Sequence, residues 1–422
     1  MVSASNLQQV WKPDLLTKLY VFSMCLLIYA VAEVSWLRSI PRQPLYVLVS
    51  VLAIIKMVQK GVCLSKGRIG FILVWFIYCM MSIIVIRGNI FLGLYYILLF
   101  FTMSSVVMLS VDEMKYLLKV ITNCFVVILI ISIFGWILYL IGFPLPYTGP
   151  IYHSNGYHIY YDYYFFTTQA NMGGDYERFS SVFLEPGQMA TPCAFLFHIN
   201  TRNDRIFRFR NLIMLTGIIM SFSLIAYGLL LLSIVANQLT RSNSKYKVLF
   251  TVVTLSLLGG LTWYFTTNEN TAVYALIVTR LEYDEENNTI TGYNRTGDNF
   301  EIHYANLMQS SDKYFGARDQ LTQGDNWTTY ASGYKKFIVH HGIVGFAIVL
   351  LLMIILFWSN RSIASFVFFT IVIVAFLVRD LLTSPLWLTI AITGMYIIGS
   401  DMYIISDEEK EEDQSIDQLQ TA

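Results

Sequence analysis

Long apolar runs separated by short polar stretches dominate the chain. Runs at 19–37, 43–58, 69–86, 90–110, 117–142, 182–200, 212–236, 247–266, 337–358, 363–378 and 385–405 approach the ~20 residues that a helix needs to cross a bilayer. The pattern predicts an all-α polytopic integral membrane protein with about 11–12 transmembrane helices. It forms a single membrane domain over 1–405, with a disordered acidic cytoplasmic tail at 406–422. Two long polar insertions, 143–181 and 267–336, interrupt the runs, and the chain shows no internal repeat. Lys12, Lys18 and the Ala30-Val31-Ala32 triplet imitate a signal peptide. The apolar run continues to Leu37, so the expectation is a retained first span.

Basic residues orient the spans, because Lys and Arg collect on cytoplasmic loops. One cluster is Lys56, Lys60, Lys66 and Arg68. A second is Arg202, Arg205, Arg208 and Arg210, and a third is Arg241, Lys245 and Lys247. The last two flank a single run, 212–236, and both belong inside. The run is therefore expected to enter and return as two short helices, with a break near Ser221-Phe222-Ser223, where hydroxyls can satisfy freed backbone groups. Both polar insertions then face outward.

Composition agrees with this picture. Of 422 residues, 56% are apolar and 13% charged, with zero formal net charge and a mean hydropathy of +0.56. Soluble domains carry about 25% charged residues. Nothing in the charge balance suggests a nucleic-acid partner. The five cysteines lie in or beside apolar runs without metal-ligand spacing and read as packing residues. There is no Walker A, Gly-x-Gly-x-x-Gly or His-Glu-x-x-His motif, so no cofactor is expected.

The candidate chemistry sits in and around the insertions. Arg178 stands at a membrane edge, and Glu185-Pro186 lies just inside an apolar run; ionisable groups at such depths are costly and by default functional. Loop 143–181 holds eight tyrosines, among them Tyr161, Tyr164 and Tyr176, suited equally to sugar faces and to an interfacial belt. Up to Tyr334 the second insertion carries ten acids but four bases, Arg280, Arg295, Lys313 and Arg318. The arginines are candidates for anion binding through charge-assisted bonds. Glu282, Asp284, Glu285 and Glu286 read as a solvated run, and no metal site is assigned. His340-His341 near the outer end of a span offers either a base or an interfacial histidine.

These residues together resemble the bacterial O-antigen polymerase family (Wzy-type) and its capsule and exopolysaccharide relatives. The resemblance is carried by Arg178 with Phe183-x-Glu185-Pro186, by Ala190 and Ala194, and by Ser221-Phe222-Ser223 with Ala226-Tyr227-Gly228. Asn294-Arg295, Gly316-Ala317-Arg318 and Gly342-Ile343-Val344-Gly345 complete it. It implies a multi-pass protein of the bacterial cytoplasmic membrane, with its site facing the exterior. The implied substrate is an oligosaccharide on undecaprenyl diphosphate, and a flippase and a chain-length regulator are the implied protein partners. It implies glycan transfer to an incoming repeat unit, with Arg178, Arg295 and Arg318 stabilising the departing diphosphate. Glu185 either accepts a proton or orients an arginine. Arg280, Tyr161, Tyr164, Tyr176 and His341 are the implied substrate contacts. O-antigen ligases carry His-Asn or His-Ser where this chain has Tyr330-Ala331-Ser332-Gly333, which lowers the ligase alternative. Long outer loops and missing repeats speak against a flippase or transporter.

Overall fold

The computed structural model describes residues 11–62, 64–85, 90–148, 150–152, 159–170, 178–203, 208–240, 298–317 and 333–400, with short pieces between 256 and 290. It is mostly helical. Helix α1 is Leu15–Val31, α2 Arg42–Lys60, α3 Lys66–Val85, α4 Ile90–Val107 and α5 Val111–Leu140. After the first insertion come α6 (Pro186–Asn203), α7 (Phe209–Met220) and α8 (Leu224–Thr240). The second insertion contributes α9 (Asp298–Gln309), and the chain continues through α10 (Tyr334–Ser359), α11 (Ile363–Val378) and α12 (Pro385–Ser400).

Among the described residues five helices are long and apolar enough to cross a membrane: α2, α3, α4, α5 and α10. Helices α1, α7, α8, α11 and α12 are apolar but shorter. The run 247–266 lies outside the described residues, apart from isolated positions. The first span stops earlier than its apolar pattern suggests. Helix α1 ends at Val31, and Glu33 adopts a left-handed φ of 58° beyond it. Its carboxylate pairs with Arg42 at 2.9 Å at the start of α2.

Local chemistry fixes the helix starts. Asp14 caps α1 by accepting from the Thr17 amide at 3.0 Å. Ser110 and Glu113 form a reciprocal capping box on α5, satisfying two of the amides that a helix start leaves open. Lys56 reaches the same carboxylate at 2.7 Å. The Thr17 hydroxyl donates to it at 3.4 Å, tying α1, α2 and α5 together at one end of the bundle.

The run 212–236 is broken where the sequence suggests. Helix α7 stops at Met220 and α8 starts at Leu224, with Phe222 at a positive φ of 46° between them. Ser221 Oγ donates back to the Ile218 carbonyl at 2.6 Å and accepts from the Ser223 amide at 3.2 Å, which satisfies groups the break sets free. The far part of α8 returns to the C-terminal part of α6. There Asn237 Nδ2 donates to the His198 carbonyl at 3.1 Å and to Thr201 Oγ1 at 3.0 Å. Because α7 starts a few residues after α6 ends, α7 and α8 form a hairpin whose open ends share one end of the bundle.

Helix α6 is enclosed. Its residues from Met189 to Ile199 are all buried, and it packs against α7, α8 and α11. Phe195 meets Trp387 of α12 and Phe368 of α11 at 5.5 and 6.2 Å between ring centres. It holds Gln188, Thr191, Pro192, His198, Asn200 and Thr201 and is not among the helices apolar enough to span. Within the run 182–200, the part from Pro186 onward is thus a core helix of the bundle.

Loop 143–181 contains strands that the helical reading does not foresee. β1 (Pro150–Tyr152), β2 (Ile159–Asp162) and β3 (Thr167–Ala170) form an antiparallel sheet in the order β1-β2-β3. Pro150 pairs with Tyr161, and Tyr161 with Thr168. Its Tyr, Ile and Thr content is that of a pleated, half-buried surface. The sheet is seated on the end of α5, where Trp136 and Tyr139 pack against Phe166 at 5.3 and 5.5 Å.

Candidate functional site

The segment 178–185 is non-helical and runs down into the bundle. Ser181 Oγ meets Ser132 Oγ of α5 at 2.7 Å, roughly 12 Å down the helix from its end at Leu140 at a rise of about 1.5 Å per residue. Further in, Phe183 stacks on Phe125 at 5.6 Å. Irregular backbone at such depth requires partners from the protein itself, and they are present. The Ser181 carbonyl accepts from the Thr167 amide at 2.7 Å, and the Val182 carbonyl accepts from the Ser35 amide at 3.1 Å. The Phe179 amide donates to the Met220 carbonyl at 3.3 Å. Thr167 Oγ1 donates to the Phe183 carbonyl, and Ser180 Oγ donates to the Thr167 carbonyl at 2.8 Å.

Arg178 opens this segment and closes the α7–α8 break. Its Nε donates to the Ser221 carbonyl at 3.2 Å and its Nη2 to the Phe222 carbonyl at 2.9 Å. These acceptors are end-of-helix carbonyls, which lack intrahelical partners and carry the negative end of the helix dipole. The guanidinium therefore joins the re-entrant segment to the hairpin.

Glu185 closes the segment. It precedes Pro186, the first residue of α6, where a proline loses nothing because the first amides lack partners anyway. The Glu185 carbonyl accepts the Gln188 and Met189 amides at 3.0 and 3.3 Å. Its carboxylate Oε2 accepts from Arg379 Nη1 at 2.8 Å. Arg379 is the residue after α11, and its guanidinium lies against Gly187. A Cβ there would sit 2.0 Å from Arg379 Nη2. Asp380 follows and pairs with Lys336 of α10 at 3.9 Å. Burial pushes the Asp380 carboxyl above its usual range, against the pull of Lys336 and Arg379. Glu185, Arg379, Asp380 and Lys336 thus gather two acids and two bases at one end of the bundle.

The glycine motifs of the second insertion meet beside this cluster. Helix α10 is kinked at Gly342, whose φ of 68° and ψ of 176° are not helical. The Ala317 amide donates to the Val339 carbonyl at 2.9 Å, and the Val344 amide donates to the Tyr314 carbonyl at 3.1 Å. A Cβ on Gly342 would lie 2.1 Å from the Tyr314 carbonyl oxygen, and one on Gly316 would lie 2.8 Å from that of Val339. Both positions demand glycine on conformation and on space. A small separate core of Phe300, Leu307, Ala317 and Val339 backs the joint, and Lys335 bonds Glu301 of α9 at 2.7 Å. Gly333 lies against the Leu377 and Val378 carbonyls, which brings the joint next to Arg379.

The other candidate residues are distributed as follows. His341 packs on Phe337 at 4.5 Å, and its ring nitrogens lie 3.4 and 3.5 Å from the Tyr78 hydroxyl. Tyr161 meets Tyr147 edge-on at 5.9 Å. Tyr164 is exposed at a φ of 64°, with its amide on Asp162 Oδ1 at 2.9 Å and its carbonyl accepting from Trp36 Nε1. Arg280, Arg295, Arg318 and Tyr176 lie outside the described residues. Among the described residues no group of three or more metal-ligating side chains occurs.

Sequence reasoning passes over Arg379, Asp380, Lys336 and Arg38. Arg38 sits 3.9 Å from Asp162 of β2. The available signal was the rarity of charge at the ends of apolar runs, the same signal that marks Arg178. No protein-family model matches the chain, and no curated protein matches it.

Proposed function

We propose that this protein polymerises lipid-linked oligosaccharide repeat units at the outer face of a bacterial cytoplasmic membrane. The donor is a glycan on undecaprenyl diphosphate, and the acceptor is the incoming unit. A hydroxyl of that unit attacks the anomeric carbon, the bond to the diphosphate breaks with its electron pair, and the hydroxyl proton passes to Glu185. Arg295 and Arg318, with Arg280, answer the charge that develops on the diphosphate, while Arg178 holds the segment that presents Glu185. Fixed cations at the leaving group are worth about 100- to 1,000-fold in rate each.

The observation that carries the reading is the re-entrant segment 178–185. A guanidinium opens and a carboxylate closes a stretch of non-helical backbone that passes between apolar helices, an arrangement that costs stability and marks a functional site. The α7–α8 hairpin supports the orientation. It puts Arg208 and Arg210 at the same end as the exit of α8, after which Arg241, Lys245 and Lys247 follow in sequence, and basic clusters belong in the cytoplasm.

The test is made in cells and in vesicles. Arg295→Ala and Arg178→Ala variants should leave single repeat units on the surface in place of long glycan. Purified wild-type protein given undecaprenyl-diphosphate-linked repeat units should yield a ladder of longer lipid-linked glycans, which neither a ligase nor a flippase makes. Long-chain glycan of normal length from both variants would remove the proposed site.

A further inference from the structure

We infer that Arg379 is a positioning residue for the transfer proposed above, acting as the clamp that holds the Glu185 carboxylate in place at the mouth of α6, with Gly187 leaving it room. The inference rests on that functional reading and goes beyond it, because neither Arg379 nor Gly187 belongs to the motif that suggests the reaction.

Three observations converge on the clamp. First, the bond is short and charge-assisted, 2.8 Å from Arg379 Nη1 to Glu185 Oε2, the geometry that confers orientation as well as attraction. The Glu185 side chain is 40% exposed whereas that of Arg379 is 16% exposed. The arginine is therefore the fixed partner and the carboxylate is the one presented outward. Second, Arg379 is anchored from behind. Its amide completes α11 by donating to the Ala375 carbonyl at 2.8 Å, and a cation suits that end of a helix. Third, the place is cut to fit a guanidinium. Position 187 has no side chain where any Cβ would overlap Nη2, Cζ and Nε of Arg379.

Stability alone does not account for the arrangement. Arg379 Nε is buried and has no hydrogen-bond partner among the described residues, and a cation laid against the first turn of α6 faces the positive end of that helix. An ion pair with one half-exposed partner adds little to stability, and apolar replacement of such pairs can be neutral or stabilising. A pair kept under these conditions is explained by what it does to Glu185. In the reaction, the acceptor hydroxyl must lose its proton as its oxygen bonds to the anomeric carbon. A carboxylate free to rotate would meet that proton in few of its rotamers. The guanidinium selects one, and the Asp380–Lys336 pair lies in the same cluster.

The test uses full-length protein in lipid vesicles, supplied with the undecaprenyl-diphosphate-linked units that accumulate in cells lacking it. Arg379→Met is expected to lower kcat by about 100-fold, the lower end of what general-base catalysis contributes, with KM changed less than threefold. Arg379→Lys should recover at least a tenth of the wild-type kcat. Gly187→Ala, which displaces the guanidinium without touching either charge, should fall with Arg379→Met. The Gly187→Ala/Arg379→Met double variant should be no worse than Arg379→Met alone. The Glu185→Leu/Arg379→Met pair should melt at or above the wild-type temperature while remaining inactive, which separates the clamp from a fold requirement. Wild-type kcat in Arg379→Met, or a loss confined to KM, overturns the clamp while leaving the polymerase reading intact. Absence of any ladder from the wild-type protein overturns the polymerase reading, and the clamp with it.

Discussion

Replacing Arg178 with alanine separates two roles that the sequence alone merges. The guanidinium donates to the Ser221 and Phe222 carbonyls at 3.2 and 2.9 Å. Ser221 is fully buried, so its carbonyl has little access to water once the arginine is gone. Hydrogen bonds from a charged donor contribute about 1.5–3 kcal/mol each. Two of them sum to about 3–6 kcal/mol, and the partial exposure of Arg178 brings the expected loss to about 2–4 kcal/mol. Arg178→Lys keeps one donor and the charge but not the fork, and should lose about half as much. The assay is thermal or denaturant unfolding of the full-length protein in detergent, followed through its tryptophans, alongside the glycan ladder. The expected order of stability is wild type, Arg178→Lys, Arg178→Ala, with activity falling in step. If Arg178→Ala unfolds with the wild-type protein, the guanidinium does not hold the hairpin and the geometric argument fails. If stability is unchanged but the ladder disappears, Arg178 acts on substrate directly.

Three further outcomes follow from the same geometry. Glu113→Ala strips Lys56 of its partner and α5 of its capping box, and should cost about 3–5 kcal/mol. Lys56→Met/Glu113→Leu should recover most of that, and equal losses in the single and double variants would refute the coupling. Gly342→Ala should release the 311–317 segment from α10, because its Cβ meets the Tyr314 carbonyl oxygen at 2.1 Å; limited proteolysis of that segment should become faster, and an unchanged rate counts against the joint. The raised Asp380 carboxyl sets a pH dependence. Its folded-state value lies above the unfolded one, so its favourable contribution is complete below the unfolded value and is lost as pH rises through the folded one. Asp380→Asn should therefore gain stability relative to wild type toward neutral pH, and parallel melting curves across pH 4 to 8 would exclude the effect.

The helices were legible because a bilayer asks for length and apolarity, and both are written in one dimension. The break at Ser221-Phe222-Ser223 was legible for a different reason: two basic flanks contradicted a single crossing. The strands of loop 143–181 were not, since a Tyr-rich stretch serves an interface, a sugar or a sheet equally well. Helix α6 was legible as an apolar run but its enclosure was not, because hydropathy registers how apolar a residue is and not what surrounds it. Half of the site shares this difficulty. Arg178 and Glu185 stand out in their local sequence, whereas Arg379 acquires meaning only when α11 brings it to Gly187, 192 residues away in sequence. Gly316 and Gly342 read as separate motifs until the kink in α10 joins them.

The enclosure of α6 bears on how the protein is made. A segment holding Gln188, Thr191, His198, Asn200 and Thr201 has weak affinity for hydrocarbon, since polar side chains near a helix centre oppose partitioning into lipid. Its surroundings in the bundle are made by α7, α8, α11 and α12, so it is expected to settle only once they are present. Chains arrested just after residue 203 should therefore leave this stretch unintegrated, and assembly of the bundle becomes a late, cooperative event that waits for the C-terminal helices to emerge.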